Sequence, residues 1–220
     1  MTQKLAVFDL DETIIDGDSV TLWLHFLLEK GVINNPSVLD EDKRLMAEYV
    51  AGTLDINEYM KFVIMPLQVL SMAEVDELAC EFAEQFIRPL VFPQVTSVLQ
   101  DLKSDGVPIL IISATVSFLV KPIAKMLGVD EAIGIDLKCA ENKYTHHIQG
   151  SASFREGKVV RLREWLKLQP VFIGHICFYT DSINDLPLCQ FADEVYTVNP
   201  CPLLMNEAMK QQWPVLEWSR

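Results

Sequence analysis

The chain has 220 residues, enough for one core with a modest insertion, and its 50% hydrophobic and 22% charged content excludes a disordered or fibrous protein. Thirty-one acidic residues against 18 basic ones give a net charge of −13 with the Lys and Arg scattered, which argues against nucleic-acid binding and polybasic membrane attachment. No basic-then-apolar leader opens the chain and no apolar run approaches roughly 18 residues, so neither membrane insertion nor export is expected, and a cytoplasmic location is.

Leu5 to Leu10 is a short apolar run ending in carboxylates, the pattern of a buried strand that delivers charge at its C-terminal end. From about Val20 to Pro89 the pattern turns helical: Trp23, Phe26 and Leu27, then Leu45 and Tyr49, recur at spacings of three or four. Asp55-x-x-Glu58 and Ser71-x-x-Glu74 read as capping boxes there. After Phe92-Pro93 strand and helix alternate again, with a helix near Gln94 to Ser104, a strand at Val107 to Ile112 and a helix ending near Gly128. A hairpin is expected around Ile133 to Cys139 and Tyr144 to Ile148, then a helix from Lys158 to Leu168 and a strand from Ile173 to Tyr179. A helix near Ile183 to Phe191, a strand at Glu194 to Val198 and a helix after Pro202 follow. The order implies an α/β fold: a Rossmann-like parallel sheet flanked by helices, with a small helical cap inserted after the first strand. The expected division is a core of residues 1–17 and 90–220 and a cap of residues 18–89.

Asp9 and Asp11 stand two apart on an extended segment, so both carboxylates point to one side and repel unless a cation relieves them. A divalent ion on hard oxygen ligands also binds phosphate, which lets an anionic nucleophile approach an anionic ester. Asp9 can then attack phosphorus while Asp11 protonates the leaving oxygen and later activates water. Paired aspartates also cap helices or hold structural cations, so this segment alone leaves those readings open. Further pieces follow in order: Ser113 ending a strand, able to donate to a phosphate oxygen; Lys158 at a helix start, a fixed positive charge; and Asp181 ending another strand, completing a magnesium site.

In Asp9-Leu10-Asp11-Glu12-Thr13, Ser113, Lys158 and Asp181-Ser182-Ile183-Asn184-Asp185 the chain resembles the haloacid dehalogenase superfamily over essentially its whole length. The resemblance implies that Mg2+ is held by the Asp9 carboxylate, the Asp11 main-chain carbonyl and Asp181, with Asp185 supporting the site and Asn184 ordering the same loop. It also places Ser113, Ala114 and Lys158 around the phosphate. Asp11 favours phosphatase chemistry over dehalogenation or ion pumping, and the helical insertion directly after the first motif resembles the phosphoserine-phosphatase branch. Ser153-Phe154-Arg155-Glu156-Gly157-Lys158, Val198-Asn199-Pro200 and Trp213-Pro214-Val215-Leu216 look most like haloacid-dehalogenase-type histidinol-phosphate phosphatases.

In that branch an acidic residue after the first motif binds a substrate ammonium, and Asp18 matches it. The cap arginine that phosphoserine phosphatases use for the substrate carboxylate is matched by Val63, so a bidentate clamp is missing. The expected partner is therefore a small phosphorylated metabolite, with L-histidinol phosphate first. Phosphoserine, transfer to a second alcohol and a catalytically silent metabolite-binding protein are the alternatives. Glu12 is expected to point away from the aspartate pair. Trp23, Tyr49, Phe62, Met65 and His25 read as cap packing, His146-His147 as an edge or turn, and the five cysteines as reduced thiols.

Overall fold

The apolar run behind Asp9 forms β1 (Gln3–Phe8), whose alternation sends Leu5 and Val7 to one face of a sheet and Ala6 and Phe8 to the other. The computed structural model describes residues 3–129 and 131–220. Among them β2 (Ile109–Val116), β3 (Glu131–Ile135), β6 (Ile173–Thr180), β7 (Glu194–Val198) and β8 (Val215–Leu216) join β1 in a six-stranded parallel sheet of order β3-β2-β1-β6-β7-β8. Helices α5 (Pro93–Ser104) and α6 (Ser117–Met126) cover one face. Helices α7 (Glu156–Lys167), α8 (Leu186–Phe191) and α9 (Pro202–Gln211) cover the other. The expected α/β class is what the chain forms. With β2 on one side of β1 and β6 on the other, the strand order reverses at β1, and open α/β sheets bind ligands at the carboxyl end of such a point.

Between β1 and α5 lie α1 (Ser19–Glu29), α2 (Val38–Ala51), α3 (Ile56–Ile64) and α4 (Met72–Phe82). Ser71 and Glu74 form the full reciprocal capping box of α4. Asp55 caps α3, but Glu58 turns to Arg44 at 3.3 Å instead of completing a box, because a cation lies within its reach. Trp23 meets Phe82 edge-on at 5.2 Å and Phe118 at 6.3 Å, so α1 and α4 share one apolar cluster with α6.

Several expectations need correction. The second strand starts after Pro108 and runs on to Val116, so Ser113 lies within it rather than at its end. The expected hairpin is shorter than the sequence suggests: Ile133 belongs to the main sheet in β3, and only β4 (Leu137–Ala140) and β5 (Lys143–Ile148) pair antiparallel. The chain changes sheets at Asp136, whose carboxylate takes hydrogen bonds from Ser117 at 2.6 Å and Arg161 at 2.6 Å. Glu141 and Asn142, at φ 51° and 60°, make the tight turn. Met65 is 65% exposed and His25 also faces outward, so neither packs in the cap core.

Candidate active site

β1, β2 and β6 deliver Asp9, Ser113 and Asp181 to one end of the sheet, and α7 brings Lys158 beneath them. The Lys158 ammonium is 1% exposed and lies 2.8 Å from Asp9 Oδ1 and 2.7 Å from Asp185 Oδ1. Thr180 Oγ1 donates to Asp185 Oδ2 at 2.8 Å, so Asp185 is fixed by its neighbours on both sides. Burial opposes the Lys158 charge, but Asp185 and Asp9 outweigh it and hold the group protonated. Burial also pushes the Asp9 carboxyl up to about 6, with Lys158 pulling it back and Asp185 adding to the rise.

Asp11 is held by residues to which the sequence assigns no role. Its Oδ1 accepts from the Ser19 backbone N–H at 2.7 Å and its Oδ2 from Thr115 Oγ1 at 3.0 Å. Ser19 Oγ lies 3.1 Å from Thr115 Oγ1; when Asp11 is ionised the single Thr115 proton goes to it, and Ser19 then donates to Thr115. Burial, then the charges of Asp18 and Asp9, raise Asp11 to about 8, the range of a group that can give up and retake a proton near neutral pH. Thr13 Oγ1 donates to Asp181 Oδ1 at 3.1 Å, and burial with the Asp9 and Asp185 charges moves Asp181 well above the usual carboxylate range.

The fully buried Ser113 accepts from the Thr115 N–H at 3.0 Å through its Oγ. Ala114 lies beside it in the cavity wall. Asn184 faces the cap: its Nδ2 donates to the Tyr49 carbonyl at 3.0 Å, and its Oδ1 accepts from Arg155 Nε at 3.2 Å. Arg155 has the unusual backbone angles φ 52° and ψ −124°, and its guanidinium stacks 4.8 Å from the Phe154 ring, which in turn meets Tyr49 at 5.8 Å. Asp18 caps α1 through the Thr21 N–H at 2.8 Å and also faces the cavity.

A cavity of about 380 Å³ opens above these groups. Its wall carries Asp9, Asp11, Glu12, Asp18 and Asp181, the rings of Tyr49 and Tyr59, and an apolar rim that includes Met46, Val50 and Leu203. Glu12, expected to point away from the aspartate pair, lines the cavity wall where the chain turns at its φ of 54°. Tyr49 reads as packing because helical spacing does not tell a cavity wall from a core, and the sequence assigns Tyr59 no role. The donors around Asp9 and Asp181 are hard oxygens in an excess of carboxylates over one ammonium, the chemistry that suits a small divalent cation.

A parallel sheet presenting a carboxylate pair and a buried ammonium at its switch point is an arrangement suited to phosphoryl transfer. The chain belongs to the haloacid dehalogenase-like hydrolases, whose family model matches residues 6–190. It is 34% identical over 220 residues to a histidinol-phosphatase of Neisseria meningitidis, covering 98% of this chain and 99% of that one. A crystal structure of a protein of unknown function from Bordetella pertussis superposes with TM-score 0.89 at 33% identity, covering 98% of this chain and 99% of that one. A phosphoserine phosphatase carrying an analogue of its phospho-aspartyl intermediate shares the fold at TM-score 0.71 and 18% identity, covering 100% of this chain and 95% of that one. The chain is thus a phosphatase of this family. Among the described residues no helix is long and apolar enough to cross a membrane.

Proposed function

We propose that the protein hydrolyses a small, amine-bearing phosphate monoester, L-histidinol phosphate first, through a phosphorylated Asp9. The observation that carries the substrate reading is the cavity wall: it offers Glu12, Asp18, Tyr49 and Tyr59 to the alcohol half of the ester, and among the described residues no Lys, Arg or His. A phosphoserine carboxylate would meet acids there without a partner, whereas an amine or imidazole meets carboxylates and aromatic faces. The Neisseria histidinol-phosphatase, similar from end to end, supports the same choice.

In the proposed mechanism Lys158 holds Asp9 Oδ1, which leaves Oδ2 to attack phosphorus. As the new O–P bond forms, the ester P–O bond breaks and protonated Asp11 gives its proton to the departing alkoxide. Asp11, now a carboxylate held by Ser19 and Thr115, then takes a proton from water. The water oxygen attacks phosphorus, the bond to Asp9 breaks, and phosphate leaves with Asp9 and protonated Asp11 restored. Ser113 and Lys158 stabilise the charge on the transferring group, with Ala114 lining the phosphate position. Asp9, the Asp11 main-chain carbonyl and Asp181 would hold Mg2+, with Asp185 and Asn184 as supports. When bound, the ion supplies positive charge to the phosphate oxygens. Residues 18–89 act as the cap that excludes water during the reaction.

The test is phosphate release with and without Mg2+ from histidinol phosphate, phosphoserine, sugar phosphates and nucleotides, for the wild type and Asp9→Asn. Magnesium-dependent preference for histidinol phosphate, abolished in the folded variant, is the expected result. Faster turnover of phosphoserine would overturn the substrate reading, and an active Asp9→Asn would overturn the mechanism.

A further inference from the structure

We infer that Glu12 is a specificity-determining residue that binds a basic nitrogen of the substrate, so that the site selects phosphate esters carrying two basic nitrogens and no carboxylate. The inference rests on the proposed amine-bearing substrate and adds to it a second anionic anchor beside Asp18.

The other acids of the cavity wall have protein partners. Asp9 holds Lys158, Asp11 is held by Ser19 and Thr115, Asp181 takes the Thr13 hydroxyl, and Asp18 takes the Thr21 N–H at 2.8 Å. The Glu12 side chain lines the same cavity, is exposed to solvent, and makes no hydrogen bond or ion pair among the described residues. Its position is set by the backbone. β1 ends at Phe8, Glu12 takes φ 54°, its N–H donates to the Gly17 carbonyl at 3.2 Å, and a bridge between Asp11 and Ile15 closes the loop.

An uncommitted carboxylate in a cavity that must admit a phosphate anion raises the cost of binding that anion, since like charges at close range repel. The arrangement favours binding only when the ester brings its own positive charge. Asp18 already spends one oxygen on a helix cap, so a substrate with a single ammonium would leave Glu12 unpaired. An ester with an amine and an imidazole offers a nitrogen to each. The Tyr49 and Tyr59 rings in the same wall suit a flat cationic or aromatic group between them.

The experiment compares wild type and Glu12→Gln on histidinol phosphate and on uncharged glycerol phosphate, with competitive inhibition by L-histidinol as a second readout and thermal melts as the folding control. The wild type should prefer histidinol phosphate. In Glu12→Gln the KM for histidinol phosphate should rise about tenfold relative to that for glycerol phosphate, and the Ki of L-histidinol should rise in parallel, as loss of a charge-assisted contact implies. A wild type without preference for the cationic ester would sink the amine-bearing reading and Glu12 with it. A wild-type preference that survives in Glu12→Gln, or an equal loss on both esters, would overturn the role of Glu12 alone.

Discussion

Gly157 immediately precedes Lys158, and its missing side chain sets where that ammonium sits. A Cβ built on Gly157 would overlap the carbonyl oxygen of Ala152 and stand 3.1 Å from its carbonyl carbon. Both obstacles are backbone, so neither can swing aside, and relief requires the first turn of α7 to retreat by roughly 1 Å toward ordinary contact distances. Gly157→Ala adds an overpacking cost of about 1–3 kcal/mol, against which the better helix propensity of alanine returns at most about 1 kcal/mol. Net stability therefore drops only modestly. Activity suffers more, because the ammonium next in sequence must stay 2.8 Å from Asp9 and 2.7 Å from Asp185. A displacement of about 1 Å at a reacting centre costs on the order of 100-fold in rate. Phosphate-release kinetics and a thermal melt test this, with Gly106→Ala as control, since a Cβ there meets nothing within 4 Å and carries only the strain of φ +68°. A Gly157→Ala enzyme within about threefold of wild-type kcat would refute the reasoning.

Thr115→Val removes the hydroxyl that donates to Asp11 at 3.0 Å while keeping the shape of the side chain. Its kcat should fall about tenfold on an alkyl phosphate, which needs the acid, and about twofold or less on p-nitrophenyl phosphate, which does not; equal losses would mean that Thr115 does not serve proton transfer. The metal-free protein should also lose stability as pH rises. Burial lifts Asp9 to about 6 and Asp11 to about 8 from 3.8, so the folded chain holds protons that the unfolded chain releases. That contribution is complete below the unfolded value and is lost as pH climbs through the folded ones. Glu194 acts oppositely: Cys177 donates to it and, against partial burial, His175 and Lys4 help to hold it at about 2, so its contribution fades only in acid below its unfolded value of 4.5. In EDTA the Tm should fall between about pH 5 and about pH 8.5, and Mg2+ should raise it more at the upper end. A flat profile, or an equal Mg2+ effect at both ends, would count against the Asp9 and Asp181 carboxylates sharing the ion.

Strands β1, β6 and β7, and the placing of Asp9, Asp181 and Lys158 at strand ends and a helix start, were legible because each follows from a local pattern: an apolar run, a charged terminus, a helix start. What escaped was set by contacts across the chain or by departures from regular backbone. Nothing near Asn184 announces that its amide reaches the Tyr49 carbonyl, 135 positions away. Asp136 reads as an ordinary residue of a strand until Ser117 and Arg161 converge on it and turn the chain into a second sheet. Glu12 lies four residues past the end of β1 at Phe8, where strand alternation no longer sets the direction of a side chain.

The proposed requirement for a divalent ion and the proposed preference for a cationic ester follow from one charge count. Lys158 is the ammonium beneath the cavity, and Asp9 and Asp185 already neutralise it at hydrogen-bond distance. What remains facing the cavity is Asp11, Glu12, Asp18 and Asp181, into which a phosphate dianion cannot settle without new positive charge. At the floor, where Asp9 and Asp181 offer hard oxygens, a small metal ion would supply it. Nearer Glu12 and Asp18, the nitrogens of the proposed substrate would supply it. A neutral alcohol would leave the second deficit standing even when the first is met, so on this proposal discrimination acts on the leaving group while the chemistry at phosphorus stays the same.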